Sequence, residues 1–165
     1  MKDIGRDIII QYLNDIRAIH ATGAHVAETS FYPALVALLN AVGATLAPQV
    51  CCVTQLKNRG AGIPDGGLFT AEQYKRKRAA HLSDDTIFRE QMPARGVVEV
   101  KPPGANLLET ASSDQIRRYW QEHGLVLVTN LHAFILVGKD HNGQPAQLET
   151  YALCAGAEEF WRLAA

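Results

Sequence analysis

The chain has 165 residues, 47% apolar and 20% charged, a composition that fits one globular domain with a sizeable core and excludes a disordered or fibrous chain. Its formal net charge is −1, so no overall basic field draws it to a polyanion, and any attraction to nucleic acid must come from local patches. Three cysteines with two adjacent (Cys51, Cys52, Cys154), a polar N-terminus without a signal core, and no membrane-length apolar run argue against a disulfide framework, a zinc site, export or a membrane span, and for the reducing cytoplasm.

In chain order, residues 4–20 carry helical periodicity: Ile8, Tyr12, Ile16 and Ile19 recur at spacings of three and four, with Arg6, Asp15 and Arg17 largely on other faces. Thr22-Gly23-Ala24 breaks the pattern. Ser30 is the expected N-cap of a second helix running to about Val42, with Pro33 in its first turn, Leu35, Leu38 and Leu39 as its buried stripe and Gly43 as its stop. Residues 50–55 are rich in β-formers, Asn58-Arg59-Gly60-Ala61-Gly62 is a loop, and 63–70 is a short second strand carrying Asp65. Residues 71–91 read as a polar, partly helical insertion. A third strand over 96–101 is halted by Pro102-Pro103-Gly104. A helix over 113–123, strands over 125–129 and 133–137, a turn at His141-Asn142-Gly143 and a last strand over 147–153 follow. The order predicts an α/β domain, a mixed sheet flanked by helices. Residues 157–165 read as a helix with two explanations: a helix cut mid-course, the chain being the N-terminal piece of a longer polypeptide, or a helix that docks on the core.

Pro64-Asp65 and Glu99-Val100-Lys101 together spell PD…ExK. Side chains alternate along a strand, so Glu99 and Lys101 share one face while Val98 and Val100 point into the core, and strand spacing sets acid and amine about 7 Å apart along the chain. At that spacing they can flank one phosphate without cancelling each other. Two carboxylates, Asp65 and Glu99, with a backbone carbonyl such as that of Val100, suit the octahedral oxygen coordination of magnesium, which keeps several waters. The cation would acidify a bound water, and Lys101 would orient the nucleophile or stabilise the charged transition state. This is the equipment of a magnesium-dependent phosphodiester hydrolase; taken alone, Glu99 and Lys101 are also an ordinary surface ion pair on a strand.

Other residues add to the set. Gln115 and Tyr119 are four apart on one helical face and can hold a water or a phosphate oxygen. Glu28 is either a further carboxylate for the metal or an acid favoured by the helix dipole. Lys75-Arg76-Lys77-Arg78 either tracks a DNA backbone or forms a solvated face, and the same choice stands for Arg117 and Arg118. The six histidines lack metal-ligand spacing, Ser112-Ser113 lacks a nucleophile elbow, and Gly60-Ala61-Gly62 lacks the ending of a phosphate loop.

On Pro64-Asp65, Glu99-Val100-Lys101 and the Gln115/Tyr119 pair, the chain resembles the PD-(D/E)xK nuclease superfamily, the pair resembling the QxxxY motif of its RecB-like branch. More narrowly, Ser30-Phe31-Tyr32-Pro33-Ala34-Leu35, Gly62-Ile63-Pro64-Asp65-Gly66, Val98-Glu99-Val100-Lys101-Pro102 and Leu127-Val128-Thr129-Asn130 are similar to the N-terminal nuclease domain of large bacterial restriction-modification polypeptides. Those fuse a nuclease to an adenine methyltransferase and a target-recognition region. The resemblance spans roughly residues 28–137. It implies a restriction-endonuclease-like mixed central sheet flanked by helices and DNA cleavage dependent on Mg2+, with Mn2+ able to substitute. Asp65 and Glu99 would bind the metal, Lys101 would assist the attacking water, and Gln115 and Tyr119 would position substrate. Implied partners are DNA, a fused or associated methyltransferase, and a second copy where both strands are cut. One departure is the long interval between Asp65 and Glu99, which makes the 71–91 insertion a candidate DNA-contact or regulatory element.

Two other readings differ in kind. A non-catalytic nucleic-acid-binding module would keep the fold and lose turnover. A small-molecule protein or interaction scaffold would carry the motifs by coincidence, with a deep apolar pocket and no affinity for divalent metal.

Overall fold

Helix α1 occupies Ile4–His20, and its apolar stripe does what its spacing demands: Tyr12 and Ile16 are fully buried. The computed structural model describes residues 4–26, 28–54, 62–75 and 92–165. A single 3-10 turn over Thr29–Phe31 leads into α2, Tyr32–Gly43. Pro33 lies in the first turn as expected, but Ser30 is not the cap. Its hydroxyl accepts from the Val26 amide at 2.8 Å instead, because the extra turn is what buries Phe31 completely. Gly43 does stop the helix, though without a left-handed cap. It is the last helical residue, followed by a right-handed Ala44, and a Cβ there would run into the Val50 carbonyl oxygen. The glycine lets the helix end press on the first strand.

Six strands follow: β1 Val50–Thr54, β2 Gly66–Thr70, β3 Val97–Val100, β4 Val126–Thr129, β5 Ala133–Lys139 and β6 Pro145–Ala152. They form one sheet in sequence order, antiparallel everywhere except between β3 and β4. The sheet is therefore mixed, with helices on both faces, as the element order predicts. A parallel pair needs a crossover, and residues 101–125 supply it with two helices. One is α5, Asp114–His123, with Ser113 accepting from the Ile116 amide and Gly124 closing it at φ +73°. The other, α4 over Leu107–Ala111, was not expected; Asn106 caps it. Short helices α3, Ala71–Lys75, and α6, Ala157–Leu163, complete the described residues.

The core has two layers. On one face of the sheet, Val98 and Val100 pack with Tyr12, Ile16, Phe31, Leu35, Leu38 and Phe160 under α1, α2 and α6. On the other, Val97, Val126, Val128, Ile135 and Val137 pack with Ile116 and Tyr119 under α4 and α5. All four residues of β3 are buried, as befits a central strand covered on both sides. Helix α6 docks on the core through Phe160, while Trp161 stacks on His20 with ring centroids 4.2 Å apart. The three cysteines are free thiols. Among the described residues no helix is long and apolar enough to cross a membrane.

The turn from β4 to β5 is tied to the segment that leaves β3. Leu131 sits at φ +75°, held by the Thr129 hydroxyl accepting its amide at 3.1 Å and the Tyr12 hydroxyl donating to its carbonyl at 2.7 Å. Asn130 donates to the Ala105 carbonyl at 3.1 Å, and the His132 ring meets the Pro103 carbonyl at 3.1 Å. The residues directly after Lys101 are thus anchored by a neighbouring turn.

Candidate functional site

Strand register decides whether the two separated acids meet. β2 and β3 pair Gly66 with Val98 and Gly67 with Val97. Asp65, the residue before β2, therefore lies beside the end of β3, close enough for its charge to act on Glu99. The sheet thus brings both acids to one end of β3, with the long interval between them closing on adjacent strands. Asp65 itself stands just before β2 rather than within it. Its Oδ2 accepts the Val100 amide at 2.7 Å and its Oδ1 accepts the Tyr32 hydroxyl at 2.7 Å.

Glu99 projects to the α5 side, where it is 3% exposed. Its Oε1 receives two donors, Lys101 Nζ at 2.6 Å and Gln115 Nε2 at 2.9 Å. Acid and amine are therefore in direct contact, whereas strand spacing alone holds them apart: the backbone separates the Cα atoms, but the long lysine side chain folds back to the buried Glu99 carboxylate. Gln115 also meets the Tyr119 hydroxyl at 3.2 Å. The expected helical pair is on one face, with Tyr119 almost wholly buried against the sheet. Gln115 grips Glu99, and Tyr119 holds Gln115. Gly62, at φ +111°, brings the loop before Asp65 so close that a Cβ would lie 3.2 Å from the Tyr119 ring.

The electrostatics follow from this packing. Burial pushes the Glu99 carboxyl above the usual carboxylate range, with nearby Asp65 adding to the push, while Lys101 and Gln115 pull it down without reversing the direction. For Lys101, burial acts downward but is outweighed by Glu99, then Glu28 and Asp65, so its ammonium is held more firmly than usual. Tyr119 is raised by burial first, against the Gln115 contact, with Glu99 and Asp65 adding to the rise.

A hard divalent cation suits these donors. The Glu99 Oε2 atom is buried with no hydrogen-bond partner among the described residues, an arrangement that costs free energy unless something electropositive meets it. Each Asp65 oxygen accepts one bond and retains a lone pair. The Val100 carbonyl, on the strand edge whose amide holds Asp65, is a third oxygen of the right kind. Among the described residues no cluster of three acidic, histidine or cysteine side chains is arranged to hold a metal. Glu28 meets the Tyr32 hydroxyl at 3.0 Å, so its link to Asp65 runs through that phenol. Tyr32 is the site residue that motif reading missed; its segment, Ser30-Phe31-Tyr32-Pro33-Ala34-Leu35, carries part of the family resemblance, and its hydroxyl stands four residues after Glu28.

Arg117 and Arg118 are exposed on α5, away from the hydrogen bonds of the site. Of the basic run, Lys75 ends α3, while Arg76, Lys77 and Arg78, like most of the 71–91 insertion, lie outside the described residues.

No protein-family model matches the chain, and no curated protein matches it. A solved structure does: the cryo-EM structure of a DrdV–DNA complex superposes with a TM-score of 0.55 at 17% sequence identity, over 96% of this chain and 13% of that one. The present chain thus spans 13% of the length of that protein, and the likeness is one of fold.

Proposed function

We propose that this domain is a metal-dependent endonuclease that hydrolyses DNA phosphodiester bonds, the cutting element of a bacterial restriction-modification system. The observation that carries the reading is the meeting of Asp65 and Glu99 at the end of β3, Asp65 held by the Val100 amide, with a buried Glu99 oxygen that has no partner among the described residues and a lysine ammonium 2.6 Å from the other. The PD…ExK order and the fold shared with a protein solved on DNA support DNA as substrate.

Asp65, Glu99 and the Val100 carbonyl would hold Mg2+, with Mn2+ as substitute. When bound, the cation supplies Lewis acidity and acidifies a water. The chain's own residues do the rest. The Val100 amide and the Tyr32 hydroxyl fix the Asp65 carboxylate, and Gln115 fixes Glu99. Lys101, kept protonated by its acidic neighbours, is suited to stabilise charge growing on the phosphoryl oxygens rather than to remove a proton. Water's oxygen joins phosphorus, one P–O ester bond breaks, and the proton from water ends on the departing alkoxide.

The test is plasmid cleavage by the chain with Mg2+ or Mn2+, beside Lys101→Ala. Cutting that needs metal and is lost in the variant supports the proposal. Metal-independent DNA binding without cutting, in a chain that takes up no Mn2+, favours the non-catalytic binding module instead.

A further inference from the structure

Tyr32 stands between two acids. Its hydroxyl oxygen is 2.7 Å from Asp65 Oδ1 and 3.0 Å from Glu28 Oε1. A phenol has one proton to give, so the two carboxylates share a single donor, and the shorter contact goes to Asp65. Tyr32 belongs to α2, 33 residues before Asp65, and Glu28 lies one helical turn earlier. The contact is therefore the point at which the helical layer grips the loop that carries the metal-facing acid. Glu28 also belongs to the same electrostatic neighbourhood, since it helps hold the charge on Lys101. Burial, then Asp65 and Glu28, keep the Tyr32 phenol far above its ordinary range, so it remains a donor throughout the physiological span.

We infer that Tyr32 is a positioning residue for the cation site: it orients the Asp65 carboxylate, and Glu28 acts on the site through Tyr32 rather than as an independent ligand. The inference rests on the metal-dependent reading above and gives Glu28 a third role beside the two that its sequence position offers. In a site built this way, the partner of a ligand counts almost as much as the ligand, and its loss typically costs about 10–100-fold in metal affinity. The phenol also explains why Glu28, half-buried and one turn from α2, has a fixed partner at all.

The experiment is Mn2+ binding by the whole chain, read by electron paramagnetic resonance without DNA, for the wild type and for Tyr32→Phe, Glu28→Ala, the double variant and Asp65→Ala. Tyr32→Phe is expected to weaken Mn2+ binding by about tenfold or more, with its metal-free melting temperature close to wild type. Glu28→Ala is expected to weaken it as well, and the double variant to be no weaker than Tyr32→Phe alone, because both changes cut one chain of contacts. Wild-type affinity in Tyr32→Phe overturns the inference, as do losses that multiply in the double variant, since Glu28 would then act on its own. Should Tyr32→Phe fail to fold, Glu28→Ala carries the comparison: a loss of about tenfold supports the relay and an unchanged affinity overturns it. Asp65→Ala separates the two levels. If it binds Mn2+ as the wild type does, the metal-site reading itself fails. If it abolishes binding while Tyr32→Phe does not alter it, only the role of Tyr32 fails.

Discussion

Asp65 is fastened to Val100 by a hydrogen bond of 2.7 Å from the Val100 amide to its Oδ2. Because that amide lies between Glu99 and Lys101, the first acid is tied to the backbone that carries the second acid and the amine. The three charged groups cannot drift independently. Asp65→Asn keeps an oxygen for the amide and removes the negative charge, so it separates structure from chemistry. The melting temperature should stay within a few degrees of wild type while metal-dependent cleavage falls by about a hundredfold or more. Cleavage at the wild-type rate would remove Asp65 from the site.

Gln115 donates to the same Glu99 oxygen that receives Lys101. Gln115→Leu leaves α5 held by Ile116 and Tyr119, both buried, but frees Glu99 to rotate. Single-turnover cleavage should slow by about 10–100-fold with the fold intact. An unchanged rate would mean that the contact only packs the helix.

Much of this arrangement is legible in the chain. The β-rich runs at 50–55, 96–101 and 133–137 and the periodic helix at 4–20 fall where the structure has them, because their patterns are long or flanked by breakers such as Pro102-Pro103. The five-residue α4 was too short to show a period. Ser30 misleads for a different reason: local chemistry assigns it a cap, and a tertiary demand, the burial of Phe31, overrides it, whereas the helix does stop at Gly43, where Val50 approaches. Gln115 and Tyr119 were readable as a pair by their spacing, but the grip on Glu99 needed the crossover. Tyr32 lies in a segment that carries the family resemblance, but its tie to Asp65, 33 residues on, is made only by folding.

Lys101 and Glu99 form an ion pair in which the acid's side chain is 4% exposed and the lysine's 29%. Without metal, Lys101→Met strands a buried carboxylate. The expected loss of stability is about 1–3 kcal/mol, below that of a fully buried pair because the ammonium partly faces water. Saturating Mg2+ should shrink the loss, since a second cation then faces Glu99. Urea unfolding with and without Mg2+ checks both parts; equal losses in the two conditions would contradict a cation beside Glu99.

The raised Glu99 carboxyl makes metal-free stability depend on pH in a definite direction. Burial, more than any partner, lifts its folded pKa above the unfolded value of about 4.3. Between those two values the native chain binds the proton more than the unfolded chain does, so this group's contribution to stability falls as pH rises through that interval and is level above it. Glu99→Gln cannot titrate and should lack that fall. Urea melts from about pH 4 to about pH 7, wild type minus variant, give the contribution directly; a difference that rises with pH would show that Lys101 and Gln115 outweigh burial.

The most direct measurement is the anomalous difference density of a crystal of the whole chain soaked in Mn2+. The account predicts one peak at about 2.1 Å from an oxygen of Asp65 and from Glu99 Oε2, with Lys101 and Gln115 still on the Glu99 side chain. A peak held by neither acid, or carboxylates that remain apart in saturating metal, would contradict it.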